Sequence, residues 1–277
     1  SVFEELGLSE PTTWDEFLAL CQTVQDSGMT PIAFGNEFPW ASSHYIGDLN
    51  AKLVPPDVRQ ADYLLTSEAE ELFTHPGYVE ALRRFQELGD LGYFNTGPNA
   101  LQHSLARSSF IAGRAAMMYI EVVEFDTVAD GMGEDAFDFF PLPSNPDDAG
   151  DPMLLTGAPD GFMVSIDTEH PDEAVAFLQF LTLPENGARY TQEIGMPSAS
   201  IGAVTDETAI SILVEGIDYM DEASGMALWL DTDIDIKIVE VYLPGMQAVL
   251  AGSESPESVM EMVQEAAAEA QAERAED

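Results

Sequence analysis

The chain has 277 residues, enough for one large domain or two smaller ones, and 45% of them are hydrophobic, as in folded proteins. Its 51 Asp and Glu residues against 9 Lys and Arg give a formal net charge of -42. This charge argues against nucleic acid as a partner, because phosphate contacts need a basic surface. The apolar runs are too short to span a bilayer, so no transmembrane segment is predicted.

The first predicted helix follows a capping box formed by Thr13 and Glu16, with Cys21 on its apolar face and Trp14 beside the cap as a structural residue. Pro244 is expected to kink or break the penultimate helix. The other predicted elements are a strand at 30–34, an aromatic and amide-rich loop at 35–45, an interrupted helix at 68–91, a helix at 101–111, strands at 115–120 and 137–142, turns at 143–152, a strand at 161–166, and helices at 171–182, 184–194, 206–220, 236–251 and 256–274. Strands that alternate with more numerous helices predict an α/β fold.

Motifs for nucleotide, zinc and nucleophilic chemistry do not occur in the sequence, so no cofactor, catalytic residue or metal is predicted. Residues 231–235 begin like an EF-hand loop. The loop then fails, because Ile236 stands where glycine is required and Tyr242 where a bidentate glutamate is required. Paired carboxylates for glycoside hydrolysis are set by their separation in space, which the sequence does not give.

Four ordered segments resemble family 1 extracellular solute-binding proteins of ABC importers, the maltose-binding-protein-like group. They are LGLSEPTTWDEF (6–17) leading into GMTPIAFG (28–35); SSFIAGRAAMMYI (108–120); FPLPSNP (140–146) followed by TGAPDGFMVSIDTEHPDEAVAFLQFLTLPENGARY (156–190); and PGMQAVLAGSESPESVMEMVQEA (244–266). The resemblance covers nearly the whole chain, and its strength lies in the order of the segments rather than in any one motif.

The resemblance implies an α/β, periplasmic-binding-protein-like type II fold that is helix-rich and two-lobed. The first-lobe strands of full-length members are largely missing, so the chain is expected to be N-terminally truncated. Residues 1–155 would form the first part of the C-terminal lobe, 156–222 a returning segment of the N-terminal lobe, and 223–277 the closing helices of the C-terminal lobe. Hinge crossings are expected near 150–160 and 215–228.

The resemblance also implies a non-enzymatic, monomeric protein, extracellular or periplasmic and lipid-anchored in its full-length form. It would capture a sugar or oligosaccharide between two hinged lobes and deliver it to the permease subunits of an ABC importer. Three alternatives stay open: another small polar solute such as a polyol or peptide, a glycoside-processing enzyme, and an acidic surface module without a small ligand. About half of the cleft chemistry is expected in this chain, so binding by the chain alone should be weak or absent.

Candidate ligand contacts begin in the segment 36–44, which is similar to the family's loop after the first strand. Trp40 is the predicted stacking residue, with Glu37 and His44 as polar partners. Aromatic rings pack on the C–H faces of a sugar, and carboxylates accept hydrogen bonds from its hydroxyls. The alternative is a packed aromatic with two solvated polar residues.

A second group follows the strand predicted at 115–120, where the family carries a G-x-W motif. This chain lacks that tryptophan and has Glu121, Glu124 and Phe125 instead. Either the site is more polar here, with Phe125 as the substitute ring, or the loop is shifted. Solvated acids on an acid-rich protein are the alternative.

The third group precedes the penultimate helix, where the family often places an aromatic and polar contacts. Trp229, Asp231 and Asp233 are the candidates, with a core position as the alternative for Trp229. Gly157 and Asp160, at the expected hinge-side turn, are candidates from the other lobe.

The charge of -42 indicates a protein adapted to high salt, with a merely acidic mesophilic protein as the alternative. Repulsion among so many carboxylates opposes compact folding in dilute buffer. At about 1 M salt the Debye length is about 3 Å, which screens most of that repulsion.

We therefore predict that the melting temperature rises steeply between dilute buffer and molar KCl, because screening removes the repulsion from the folded state. Thermal unfolding followed by circular dichroism over a KCl series measures this. A flat response would refute adaptation to salt.

Overall fold

Thirteen α-helices and four short strands, numbered in chain order, form the secondary structure of the described residues, 2–159 and 161–276 of a computed structural model. The helices are α1 Val2–Leu6, α2 Trp14–Asp26, α3 Trp40–Leu53, α4 Pro56–Tyr63, α5 Pro76–Asp90, α6 His103–Ile111, α7 Phe125–Met132, α8 Pro171–Leu181, α9 Pro184–Ile194, α10 Ser211–Glu222, α11 Leu230–Asp233, α12 Ile236–Leu250 and α13 Pro256–Arg274. The strands are β1 Thr30–Ala33, β2 Ala115–Met118, β3 Leu154–Gly157 and β4 Gly225–Leu228. They pair in parallel as β1–β2 and β3–β4, which gives an α/β fold rich in helix. In the part of the chain that the structure describes, no helix combines the length and apolar composition of a membrane span.

The chain divides into two compact units, each made of separate stretches of sequence. Unit 1 comprises 1–119, 140–158 and 224–277, and unit 2 comprises 120–139 and 159–223. The sequence analysis did not anticipate that 120–139 packs in the same unit as most of the segment 156–222. The assignment of these ranges to the two lobes of a longer receptor stays a prediction.

Helix α2 shows how the sequence starts unit 1. The Thr13 side chain caps the helix by accepting a hydrogen bond from the Glu16 backbone N–H at 3.2 Å, as predicted. The Glu16 carboxylate accepts from the N–H of Thr12, at 2.8 Å, one residue before the cap. Cys21 is fully buried on the apolar face, and burial raises the pKa of its thiol to about 12. The thiol is therefore a core group and not a nucleophile.

An aromatic cluster forms the centre of unit 1, where α3 and α5 meet β1. The ring of Phe34 lies 5.3 Å from Tyr45, 5.7 Å from Phe85 and 4.7 Å from Phe94, centroid to centroid. Such pairs contribute about 0.5–1.5 kcal/mol each beyond their burial. Trp14 is also buried, and its indole N–H donates to Glu87, which confirms its structural role.

Helix α3 corrects the predicted loop at 35–45, because the chain is helical from Trp40 onward. Every residue from 41 to 53 is buried. A helix enclosed on all sides lacks the apolar stripe on which sequence periodicity depends, so the pattern gave no helical signal. Its one lysine, Lys52, pairs with Asp48 one turn earlier at 2.7 Å, which keeps both buried charges compensated.

The strands predicted at 137–142 and 161–166 are wrong. Neither segment pairs with a strand among the described residues, and the sequence analysis missed β4, the partner of β3. Short apolar runs suit a strand or an extended segment equally well, and only the presence of a hydrogen-bonding neighbour decides between them. The same limit applies to residues 68–74, which form turns before α5 instead of the predicted helix.

Unit 2 exposes much of its apolar surface. Helix α8 buries none of its residues, and its rings Phe177 and Phe180 are both exposed. In the segment 161–166, the side chains of Phe162, Met163 and Ile166 are at least 76% exposed. An exposed apolar area of this kind is typical of an interaction surface rather than of the solvent-facing surface of a monomeric protein.

Pro244 was expected to kink or break the penultimate helix; α12 continues through it to Leu250, so the helix does not break there, and the kink stays a prediction. The neighbouring Gly245 explains the tolerance. A Cβ at Gly245 would lie 2.6 Å from a methyl carbon of Val259, so α12 and α13 approach closely there. This packing holds the helix together where the proline removes a backbone donor.

A buried ion pair generates a stability prediction. Arg84 donates two hydrogen bonds to Asp148, at 2.8 and 2.7 Å, with side-chain exposures of 7% and 11%. We predict that Arg84→Met lowers the free energy of unfolding by about 3 kcal/mol, because it leaves a buried carboxylate unpaired. Arg83→Met is the matched control, since that neighbour is exposed and pairs at the surface; it should cost less than about 1 kcal/mol. Urea unfolding at fixed KCl measures both, and equal losses would contradict the prediction.

Candidate functional site

A row of four rings lies on unit 1, in the order His103, Trp40, His44 and Trp229. The centroid distances along the row are 4.9, 5.0 and 3.8 Å. The first two pairs are tilted, whereas His44 and Trp229 lie nearly parallel, at 13°. Trp40 and Trp229 are half-buried. The structure thus places two predicted site residues, Trp40 and Trp229, against the imidazole of a third, His44.

Trp229 is held through its backbone. It follows β4 directly, and its N–H donates to the Gly157 carbonyl at 3.0 Å, at the end of β3. Gly157 is buried, and a Cβ there would lie 2.9 Å from the sulfur of Met226. Gly157, which the sequence analysis named as a ligand contact, therefore has a close packing role that supports Trp229.

Side-chain amides, of which Asn36 is fully buried, fix the segment that leads into Trp40. The Asn36 side chain donates to Asn99 Oδ1 at 2.7 Å and accepts from the Ser42 hydroxyl at 2.7 Å. Gln247 donates to the Asn36 carbonyl at 2.6 Å. The sequence analysis missed these supporting residues, although it noted the amide-rich composition of the segment.

Glu37 and the neighbouring Phe38 lie at the exposed edge of this segment. The backbone N–H of Glu37 donates to the Leu101 carbonyl at 3.0 Å, while its side chain is exposed. Phe38 is 59% exposed and was not named as a candidate. A carboxylate and an exposed ring therefore stand together just before Trp40.

The carboxylates of Asp231 and Asp233 follow Trp229 on the short helix α11. Both are half-buried, and Asp231 Oδ1 is buried without a hydrogen-bond partner among the described residues. Burial raises the pKa of Asp233, and the nearby positive charge of Arg59 acts in the opposite direction. Arg59 itself is buried, with its guanidinium 5.3 Å from the centre of the Tyr63 ring. These acids are consequently less hydrated than the carboxylates on the open surface.

Unit 2 carries the second group of predicted contacts. Glu121 and Glu124 are half-buried at the two ends of a 3₁₀ turn that precedes α7. Phe125 is only 4% exposed and packs on Phe137 and Phe139, at 5.9 and 5.6 Å. Its prediction as a substitute stacking ring is therefore corrected, because the ring fills the core of its own unit. Asp160 lies outside the described residues.

The described residues contain no group of three His, Cys, Asp or Glu side chains placed to hold a metal ion. A surface pocket on unit 1 is lined by Arg83, Gln86 and residues 252–258. It includes none of the predicted contacts, and Arg83 is already paired with Glu80 and Glu257. The row of four rings is therefore the better candidate site.

Two solved structures with the same fold have descriptions that name a sugar ligand. A chitin oligosaccharide binding protein superposes with a TM-score of 0.85 at 22% identity, over 98% of this chain and 68% of that one. The protein RafE in complex with raffinose gives a TM-score of 0.74 at 22% identity, over 95% and 67%. These likenesses confirm the predicted α/β, periplasmic-binding-protein-like type II fold of two-lobed receptors.

Curated relatives match by sequence over part of their length. The osmoprotective compounds-binding protein GgtB of Synechocystis is 28% identical over 199 residues, which are 64% of this chain and 43% of that protein. The multiple sugar-binding protein of Streptococcus mutans is 25% identical over 210 residues, 75% of this chain and 49% of that protein. The chain thus spans about half the length of the curated relatives it matches.

A family profile gives the firmest assignment. Residues 1–188, about two thirds of the chain, match the family described as bacterial extracellular solute-binding protein. The first two ordered segments and nearly all of the third lie within that range, whereas the fourth lies beyond it, and the resemblance seen in the sequence is confirmed. The chain belongs to the bacterial extracellular solute-binding protein family.

Proposed function

We propose that the protein captures a sugar or oligosaccharide outside the cell and delivers it to the permease of an ABC importer. The observation that carries this proposal is the row of rings on unit 1, in which Trp40 and Trp229 are half-buried and lie close in sequence to the carboxylates of Glu37 and Asp231. Membership of an extracellular solute-binding family supports it, as do the sugar-binding descriptions of the structural neighbours.

The chemistry of the row suits a sugar. An indole offers a flat apolar surface to the C–H face of a pyranose ring. Carboxylates such as Glu37 and Asp231 accept hydrogen bonds from hydroxyl groups, and bonds to ionised acceptors are stronger than neutral ones. A phosphorylated or otherwise strongly anionic ligand is disfavoured, because the chain has 9 basic residues against 51 acidic ones.

The proposal includes the setting in which the protein acts. The family is extracellular. For the complete protein we propose a lipid anchor at the cell surface, a monomeric state, binding without turnover and adaptation to high salt. Hinged closure over the ligand would favour the bound state through contacts that exist only in it.

A second candidate ligand is an osmoprotective solute. The match to a relative described as binding osmoprotective compounds favours it, and so does the salt adaptation indicated by the charge of -42. Small polyols and glycosides share the hydroxyl groups of sugars, so the same carboxylates would accept their hydrogen bonds.

Calorimetric titration in molar KCl tests both candidates. The titrants are chitin oligosaccharides, raffinose and a panel of small osmoprotective glycosides and polyols, added to the complete gene product and to this chain alone. Heat that saturates with a sugar supports the first candidate, and heat with an osmoprotectant alone supports the second. Release of hydrolysed sugar would instead show an enzyme, and no binding by the complete product would refute both.

We predict that Trp229→Ala weakens binding of the sugar that titrates best by about tenfold or more, roughly 1.4 kcal/mol, because a central stacking ring is lost. Trp14→Phe is the matched control: Trp14 is buried away from the row, so its replacement should lower the melting temperature and leave the dissociation constant unchanged. An unchanged dissociation constant in Trp229→Ala would place the sugar elsewhere.

A further inference from the structure

We propose that His44 is a positioning residue: its imidazole covers one face of the Trp229 indole, so that a ligand can stack only on the other face. This role differs from the direct polar contact with the ligand that the sequence predicted for His44. Its functional part rests on the proposed binding function.

The geometry of the pair carries the proposal. The two ring centroids are 3.8 Å apart and the planes are inclined by 13°, so the imidazole lies flat on the indole. Most aromatic pairs in proteins have centroids about 4.5–7 Å apart in offset or edge arrangements. In this close, parallel contact the imidazole takes the place that a sugar ring would need on that side.

The two partners differ in how firmly they are held. His44 is 7% exposed and lies in α3, whose residues are buried from 41 to 53. Trp229 is half-buried and sits between β4 and the four-residue helix α11. Its backbone N–H donates to the Gly157 carbonyl, and its own carbonyl accepts from the N–H groups of Thr232 and Asp233, so the backbone is anchored while the indole stays half-buried. A rigid ring thus supports a less enclosed one, and the restraint acts from His44 on Trp229.

As a consequence, only one face of the Trp229 indole is left for a ligand. With one face of the indole covered and held in place, the rotamer of Trp229 is set before a ligand arrives. A side chain that is already ordered loses less conformational entropy on binding, which improves affinity. Removing the imidazole should therefore weaken binding without removing any ligand contact.

The ligand-free experiment uses acrylamide quenching of tryptophan fluorescence in a Trp40→Phe background, which leaves Trp229 and the buried Trp14. His44→Ala should raise the quenching constant, because the covered face of the indole becomes accessible. His44→Phe, which keeps a flat ring, should restore the low value. His170→Ala is the matched control, since His170 is exposed at the start of α8 and should change nothing. An unchanged quenching constant in His44→Ala would overturn the proposal.

The ligand-dependent experiment titrates the complete gene product, with Trp40 intact, using chitin oligosaccharide and raffinose in molar KCl. His44→Ala should weaken the sugar that binds by about two- to tenfold, and His44→Phe should restore it. Equal losses in both variants at equal melting temperatures would overturn a positioning role. If neither sugar binds the unsubstituted protein, the proposed function fails, and the quenching arm still decides whether His44 covers Trp229. His44→Leu, of similar volume but without a flat ring, replaces His44→Ala if the alanine variant does not melt cooperatively.

Discussion

The enclosure of helix α3 is the constraint on which unit 1 depends. Burial from residue 41 to residue 53 places one face of the helix against the aromatic cluster and another beside α11. Gly47 allows that second approach, since a Cβ there would lie 3.4 Å from the side chain of Leu230. Trp40 and His44 occupy the first turns of the same helix, so the ring row inherits the rigidity of the core.

The sequence predicted those elements whose signals are local, such as helix caps and first-turn prolines. It missed the elements that form only because of their packing or hydrogen-bonding neighbours. The cap at Thr13, the helices that begin at Pro171 and Pro184 and the closing pair α12 and α13 all carry signals that the chain itself contains. Helix α3 carried no such signal, because burial on every side erases the apolar stripe. Strand β4 has only four residues, which is too short to show a strand pattern in the sequence. It forms a strand because β3 supplies its hydrogen-bonding partners.

Three of the residues that the sequence analysis named lie together in the structure, and their role as ligand contacts stays a prediction. Trp40, His44 and Trp229 do lie together on unit 1, although 185 residues of sequence separate the last two. An aromatic residue after a strand suits a core position as well as a ligand-binding face, so the sequence could not assign Phe125 to either. The rings that enclose it, Phe137 and Phe139, lie more than ten residues further along the chain, and the sequence alone does not show that they contact it. The supports at Asn36 and Gly157 act through hydrogen bonds and close packing, which a single sequence does not display.

The exposed apolar surface of unit 2 restricts which salts can keep this chain in solution. Potassium chloride screens the carboxylates, but strongly kosmotropic salts such as sulfate also strengthen the association of apolar surfaces. Phe162, Met163, Ile166 and the rings of α8 present such a surface. Two salts of equal ionic strength should therefore act differently on solubility: chloride would keep the chain dispersed, while sulfate would drive molecules together through unit 2. The choice of anion, and not the ionic strength alone, then governs whether the folded chain stays in solution.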